Sequence, residues 1–224
     1  VFSSKNIVED VNNWVKEKTN GMLDQLMDES MRNIITCLMN AICFESEWAW
    51  QYEEEDINEG DEFTNADGSI SEVNMLMSLE NAYIKNENYT GFIKPYKGNK
   101  YSFMALLPKD KNANLKNLLS TLDLSNQFAS AIDCEVGVDM PEFKYDFSED
   151  LVDYLKTLGI KEIFTPKADF SPLSDEWLKA DGVIHKAHIE LDRKGTKAAA
   201  VTVMTMELGC AIKETKSVRL DRPF

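Results

Sequence analysis

Histidine is almost missing from this chain: 224 residues contain two, His185 and His188. Cysteine is scarce as well, with Cys37, Cys43, Cys134 and Cys210 far apart and no C-x-x-C pair among them. That spacing excludes a disulfide-built scaffold and a thiolate zinc site. Positive charge is in deficit, 24 Lys+Arg against 39 Asp+Glu, for a net charge of −15. No Lys/Arg stripe is present, so neither nucleic acid nor an anionic membrane surface is expected as a partner. No apolar run reaches the roughly 18 residues needed to span a bilayer as a helix. The opening residues Val1-Phe2-Ser3-Ser4-Lys5-Asn6 have no apolar core or small-residue cleavage site, so no signal peptide is expected in them. Neither G-x-G-x-x-G, nor a P-loop, nor G-x-S-x-G occurs, which removes the usual anchors of dinucleotide, nucleotide and α/β-hydrolase chemistry.

The two histidines lie three apart in Gly182-Val-Ile-His-Lys-Ala-His-Ile-Glu-Leu191. In a strand that spacing puts them on opposite faces, unable to share one metal. A hydrolase would need one of them as its base, with a nucleophile that no motif marks; a core imidazole held by a hydrogen bond is the simpler reading of His185. Asp56-x-Asn58-x-Gly60 starts like a calcium loop. It then fails, because Asp61 takes the position where the turn needs Gly, and Asp67 rather than Glu closes it. A solvated acidic loop is expected there, and no metal or cofactor.

What the chain does have is enough apolar material for a core, 43% hydrophobic and 10% aromatic. Ile7, Val8, Val11, Trp14 and Val15 predict a helix, which Asn20-Gly21 interrupts before Met22, Leu23, Leu26 and Met27 continue the spacing to residue 29. Residues 33–44 are apolar enough for a strand covered on both faces. Asn65-Ala66-Asp67-Gly68 predicts a hairpin turn, with Gly68 at positive φ. Strands are expected at 82–85, 91–96, 101–107 and 134–140, the last with Val136, Val138 and Met140 on one face. A helical pattern covers 112–131, and a short helix is expected from Ser148 as N-cap to Gly159. Strands group without regular βαβ alternation, and no linker, repeat or low-complexity tract divides the chain. The reading is α+β, one domain over 1–224.

The segment Gly195-Thr-Lys-Ala-Ala-Ala-Val-Thr-Val-Met-Thr-Met206 has no large apolar face of its own. Its alanines favour helix, while Val201, Thr202, Val203 and Thr205 favour strand. Small side chains would let it enter a sheet between existing strands without overpacking. An ordinary exposed loop accounts for the same residues.

Seven segments in order then resemble one family. Asn13-Trp-Val-Lys-Glu-Lys-Thr-Asn-Gly21 resembles the helix F signature of the serpins. Met39-Asn-Ala-Ile-Cys-Phe-Glu-Ser-Glu-Trp48 resembles the third strand of sheet A with its breach tryptophan. Met140-Pro-Glu-Phe-Lys144 is similar to the start of the sixth strand, and Leu158-Gly-Ile160 with Ala168-Asp-Phe-Ser171 to the stretch after helix I. His185-Lys-Ala187 resembles the fifth strand, Gly195 to Thr202 the reactive-loop hinge, and Asp221-Arg-Pro-Phe224 the entry to sheet B. The resemblance implies the serpin fold: mixed sheets A, B and C, surrounding helices and an exposed reactive-centre loop.

By the same resemblance the protein is no enzyme but a serine-protease inhibitor acting as a suicide substrate. Its loop would be cut, then inserted into sheet A to trap the acylated protease; a non-inhibitory binding or chaperone role is the alternative. Gly195, Thr196, Lys197, Ala198, Ala199, Ala200, Val201 and Thr202 form the expected hinge, small enough to insert. Asn40 and His185 fall on the shutter, their side chains expected to bond beneath sheet A, and Trp48 falls on the breach. Arg193 stands where the family usually has an acid, and Glu142 where it has that acid's lysine partner. Both charges are reversed, so an Arg193–Glu142 ion pair is expected.

The scissile bond is expected within Leu208, Gly209, Cys210, Ala211, Ile212 and Lys213. Counting from Gly195 puts it after Gly209, and counting back from Pro223 puts it near Ile212. The small apolar residues suit elastase- or subtilisin-like proteases, whereas Lys213 would suit a trypsin-like one. Extracellular work is implied by the family alone. The resemblance also implies that the segments before helix F and the closing strands of sheet B lie outside this chain.

Overall fold

A computed structural model describes residues 6–31, 37–42, 44–196 and 216–224. In chain order the elements are α1 (Ile7–Lys18), β1 (Cys37–Ile42), β2 (Ser46–Glu47), β3 (Ile57–Thr64), β4 (Ile70–Lys85), β5 (Tyr89–Pro95) and β6 (Ser102–Pro108). They continue with α2 (Leu115–Ser120), α3 (Leu124–Ala129), β7 (Ile132–Pro141), β8 (Phe143–Asp150), α4 (Val152–Thr157), β9 (Gly182–Leu191), β10 (Gly195–Thr196) and β11 (Lys216–Arg219). Helices and mixed sheets together make the α+β class. Contacts divide the chain into two units, one of residues 1–44 with 144–189, the other of 45–143 with 190–224.

In the first unit α1 buries Ile7, Val8 and Val15, with Glu9 and Asp10 in its first turn and Lys16 and Lys18 in its last, matching the helix dipole. It stops where Asn20 and Gly21 adopt φ of 51° and 75°, and the Gly21 amide bonds back to the Lys16 carbonyl at 2.8 Å. The helical spacing of Met22, Leu23, Leu26 and Met27 does not produce a second helix. Asn12 on α1 takes that segment instead, its Oδ1 accepting from the Leu26 and Met27 amides at 2.8 and 2.9 Å. Val15, Leu23 and Leu26 then close a small core against Ile184 of β9. Within this unit β9 pairs in parallel with β1, from Cys37 opposite Gly182 to Ile42 opposite Ala187, and β8 also pairs with β9.

Ser148 does not cap a helix. The chain stays extended in β8 to Asp150, whose Oδ1 accepts from the Val152 amide at 3.0 Å, and α4 begins there, one turn later than its composition suggests.

In the second unit six strands form one hydrogen-bonded set in the order β11-β7-β4-β5-β6, with β3 added against β4. β4 makes this possible: sixteen residues long, it pairs with β3, β7 and β5. Val136, Val138 and Met140 of β7 are buried on one face, packed with Trp48, Leu76, Phe92, Tyr96, Val218 and Leu220. Gly68 closes the β3–β4 turn at φ 84°. The acidic stretch is not a loop but a 3₁₀ turn at Glu54–Asp56 leading into β3, a strand whose charged side chains stand mostly in solvent. The helical pattern over 112–131 is split between α2 and α3, each capped by an acceptor side chain, Asn114 and Asp123 respectively. Cys134 is a free thiol and only partly buried.

Candidate functional site: the base of the loop

Gly195 and Thr196, the first two residues of the expected hinge, form β10 in the second unit, and the residues that hold β10 make the site. Leu191 at the end of β9 pairs with Thr196, while Gly195 and Thr196 pair antiparallel with Glu47 and Ser46 of β2. β10 is thus flanked by a strand on each side. Asp192 builds the turn before it, its Oδ1 accepting from the Lys194 and Gly195 amides at 2.7 and 3.0 Å. Gly195 is required by contact rather than by φ: a Cβ there would lie 2.2 Å from the Ser46 carbonyl oxygen.

Trp48 is the pivot of the arrangement. Its indole Nε1 donates to the Asp192 carbonyl at 2.9 Å, and its amide donates to the Lys194 carbonyl at 2.9 Å. The indole stacks on Tyr96 with centroids 4.6 Å apart and meets the edge of Phe103. Tyr96 in turn shares a hydrogen bond of 2.7 Å between its hydroxyl and Thr196 Oγ1, which ties buried Thr196 to the end of β5. Burial raises the Tyr96 hydroxyl pKa, partly offset by that bond.

Behind the tryptophan lies a buried charge pair that sequence reasoning missed. Lys94 Nζ bonds to Glu80 Oε1 at 2.7 Å, and both side chains are under 5% exposed. The ammonium lies 4.4 Å from the Tyr52 ring centroid and 5.4 Å from that of Trp48. Ser78 Oγ donates to Glu80 at 2.7 Å and faces the Tyr52 hydroxyl at 3.3 Å. Burial pushes that hydroxyl far above the ordinary tyrosine range. The available signal was a lone lysine in Gly91-Phe-Ile-Lys-Pro-Tyr96 and a lone acid in Met75-Leu-Met-Ser-Leu-Glu-Asn-Ala-Tyr83, opposite charges in two apolar strands.

The expected Arg193–Glu142 ion pair is not what forms. Glu142 Oε1 accepts from the Arg193 backbone amide at 3.1 Å and Oε2 from Asn74 Nδ2 at 3.0 Å, while the Arg193 guanidinium pairs with Glu54. Glu142 therefore serves the turn through the main chain, a role that does not depend on the side chain at 193.

In the first unit the register sets Asn40, expected with His185 at the shutter, opposite His185. The expected side-chain bond beneath the sheet is not among the hydrogen bonds of the described residues. Asn40 is exposed, and the half-buried His185 ring lies 6.1 Å from Phe147. His188 meets β8, its Nδ1 lying 2.7 Å from Asp146 Oδ1 and holding that carboxyl below its usual pKa.

Of the expected hinge, Gly195 and Thr196 are described, whereas Lys197, Ala198, Ala199, Ala200, Val201 and Thr202 lie outside the described residues. So does the whole scissile region, Leu208, Gly209, Cys210, Ala211, Ile212 and Lys213.

The family model for "Serpin (serine protease inhibitor)" matches residues 2–224, both units in one span. The chain belongs to the serpin family. Among curated serpins it is 34% identical to Iripin-2 of the tick Ixodes ricinus, over 97% of this chain and 56% of that protein. It is 31% identical to an uncharacterized serpin-like protein of Methanosarcina mazei, over 96% of this chain and 52% of that one. The thermophilic serpin tengpin in its native state superposes with a TM-score of 0.86 at 38% identity, over 98% of this chain and 58% of tengpin. The serpin described here thus spans about half the length of the curated relatives it matches.

Proposed function

We propose that the protein to which this chain belongs inhibits a serine protease as a suicide substrate. β10 carries the reading. Gly195 and Thr196 already lie between Leu191 and β2, antiparallel to both, which is the position an inserting strand would extend from. In an extended strand Ala198, Ala200 and Thr202 would share the face of Thr196, and all three are small, so lengthening β10 would bury little volume and no charge on that face. Insertion would require β1 to part from β9, whose parallel ladder runs over six residue pairs. The protease would acylate itself at a bond within 208–213 and be carried along before water releases it. The small apolar residues there favour an elastase- or subtilisin-like target over a trypsin-like one that would cut after Lys213. Working as a substrate that traps its enzyme, the protein needs no catalytic residue, metal or cofactor of its own.

A second reading has one observation behind it. This chain spans about half the length of the relatives it matches, and in the second reading it is cut without trapping. Mixing the protein with elastase-, subtilisin- and trypsin-like enzymes separates the two on a denaturing gel. A complex that survives SDS, with a released peptide starting between Cys210 and Glu214, supports inhibition and places the bond. Clean cleavage without a complex defeats it for this chain, and the same assay on a full-length parent tells a truncated inhibitor from a non-inhibitory serpin.

A further inference from the structure

Of the seventeen asparagines in the chain, only Asn88 is followed at the second position by serine or threonine, in Asn88-Tyr89-Thr90. That tripeptide is the acceptor pattern for N-linked sugar, and it has physical meaning only where the asparagine amide can be reached. Asn88 sits at the tip of the β4–β5 hairpin and is exposed. Its backbone is fully engaged. The Asn88 amide donates to Asn86 Oδ1 at 2.8 Å, and the Asn88 carbonyl accepts from the Lys109 amide at 2.8 Å. Asn86 Oδ1 also takes the Tyr89 amide at 2.9 Å, and the Asn86 amide closes the turn on the Tyr89 carbonyl at 3.1 Å. The turn is therefore capped by Asn86, which leaves the Asn88 side chain out of the bonding that holds it. Tyr89 is buried and pins the next residue, while Thr90 is half-buried at the first rungs of β5. Asn65, in the β3–β4 turn, makes the contrast: its Nδ2 is tied to Ser69 and Ser71, and Asp67 stands where a hydroxyl would be needed.

We propose that Asn88 is an N-glycosylation site. The donor class is an oligosaccharide carried on a lipid diphosphate. Asn88 Nδ2 attacks the anomeric carbon of its first sugar; the carbon–nitrogen bond forms as the carbon–oxygen bond to the diphosphate breaks. The lipid diphosphate leaves with the bonding pair, and the amide gives up one proton to a base of the transferase. No oxidation or reduction occurs. The Thr90 hydroxyl is the transferase's recognition element, which is why the site needs residue 90 as much as residue 88. A glycan at the hairpin tip projects past the ends of β4 and β5 and crosses none of their ladder pairs, so the folded unit accommodates it without rearrangement. The inference is independent of the inhibitor reading. It places the chain's path through a compartment where such transferases act, something its composition leaves open.

Intact-glycopeptide mass spectrometry on protein isolated from its own organism is the test, applied to the peptide spanning Asn88. A hexose-containing mass series on that peptide, with the attachment assigned to residue 88, is the expected result. In a secreting eukaryotic host, Asn88→Gln and Thr90→Ala should each remove the slower-migrating form completely. Thr90→Ser should keep part of it, and Asn65→Gln should change nothing. Thr90→Ser separates loss of recognition from loss of folding, since it retains the hydroxyl. Asn88 found only unmodified in the native protein overturns the proposal, as does a glycosylated form that persists in Asn88→Gln.

Discussion

Lys94 carries a positive charge into the apolar core of the second unit, and its environment shows how that is tolerated. One carboxylate oxygen of Glu80 accepts it, Ser78 donates to the same oxygen, and two aromatic faces supply the rest of the shell. A buried pair of this kind adds little net stability, but losing one partner strands the other charge, at a cost of about 3–5 kcal/mol. Lys94→Ala should therefore lower the urea midpoint sharply. Lys94→Met combined with Glu80→Leu should recover most of the loss, because no charge remains to be stranded. Equal losses in the single and double variants would show that packing, not the stranded charge, sets the cost. Gly195 makes a steric case at the same scale. An added methyl would meet backbone atoms, Ser46 oxygen at 2.2 Å and Glu47 Cα at 2.8 Å, which cannot swing away as a side chain would. Gly195→Ala should cost about 1–3 kcal/mol in equilibrium unfolding. It should also loosen β10 from β2, seen as faster amide exchange in residues 192–196.

At the scale of elements, β11 shows how a short strand is kept at a sheet edge. It has four residues, paired in parallel with β7, and Arg219 anchors it by bonding Asp61 of β3 at 2.6 Å and Asp139 of β7 at 2.8 Å. The Arg219 hydrogen bond is the main reason Asp61 titrates below the ordinary aspartate value. A lowered folded-state pKa means the bond's contribution is complete above the unfolded value, near pH 4, and is lost as pH falls through the folded value. Stability measured from pH 6 down to pH 2 should fall on the acid side, and Asp61→Asn should flatten that part of the curve while lowering the plateau. An unchanged acid limb in the variant would remove Asp61 from the account.

β7 was legible because alternation and turn residues agree, with Val136, Val138 and Met140 buried, whereas β3 was read as a loop because its charged side chains hide the alternation. Met22 to Met27 misled because apolar spacing does not reveal that Asn12 will take the backbone amides a helix would have used. Ser148 misled because a good N-cap composition says nothing of β9, against which β8 stays extended. The run of small side chains from Gly195 onward made the expected hinge stand out, and of it only Gly195 and Thr196 are among the described residues. The clasp on those two was not legible, since Trp48, Tyr96 and Asp192 come from three separate stretches that no local pattern joins.

For the molecule as a whole, the proposed mechanism has one segment serve two arrangements. Under that proposal the segment after Thr196 would enter the sheet only by parting the ladder of β1 with β9. Each broken rung is replaced by two, because an inserted strand bonds on both edges, so the cut and inserted form should be the more stable one. Each kcal/mol gained raises the melting temperature by roughly 2–4 °C in a 150–250-residue protein, and by less in a longer one. Calorimetry before and after a single cut within 208–213 should therefore show an upward shift in the complete protein. Ala200→Glu gives the discriminating arm. A charge on the inward face would have to be buried without a partner, so the variant should be cut at the same rate yet keep its original melting temperature. If both proteins gain stability alike, the cut relieves strain in the loop without insertion. If neither gains, β10 ends at Thr196 in the cleaved form too, and the protein is a substrate of the enzymes that cut it.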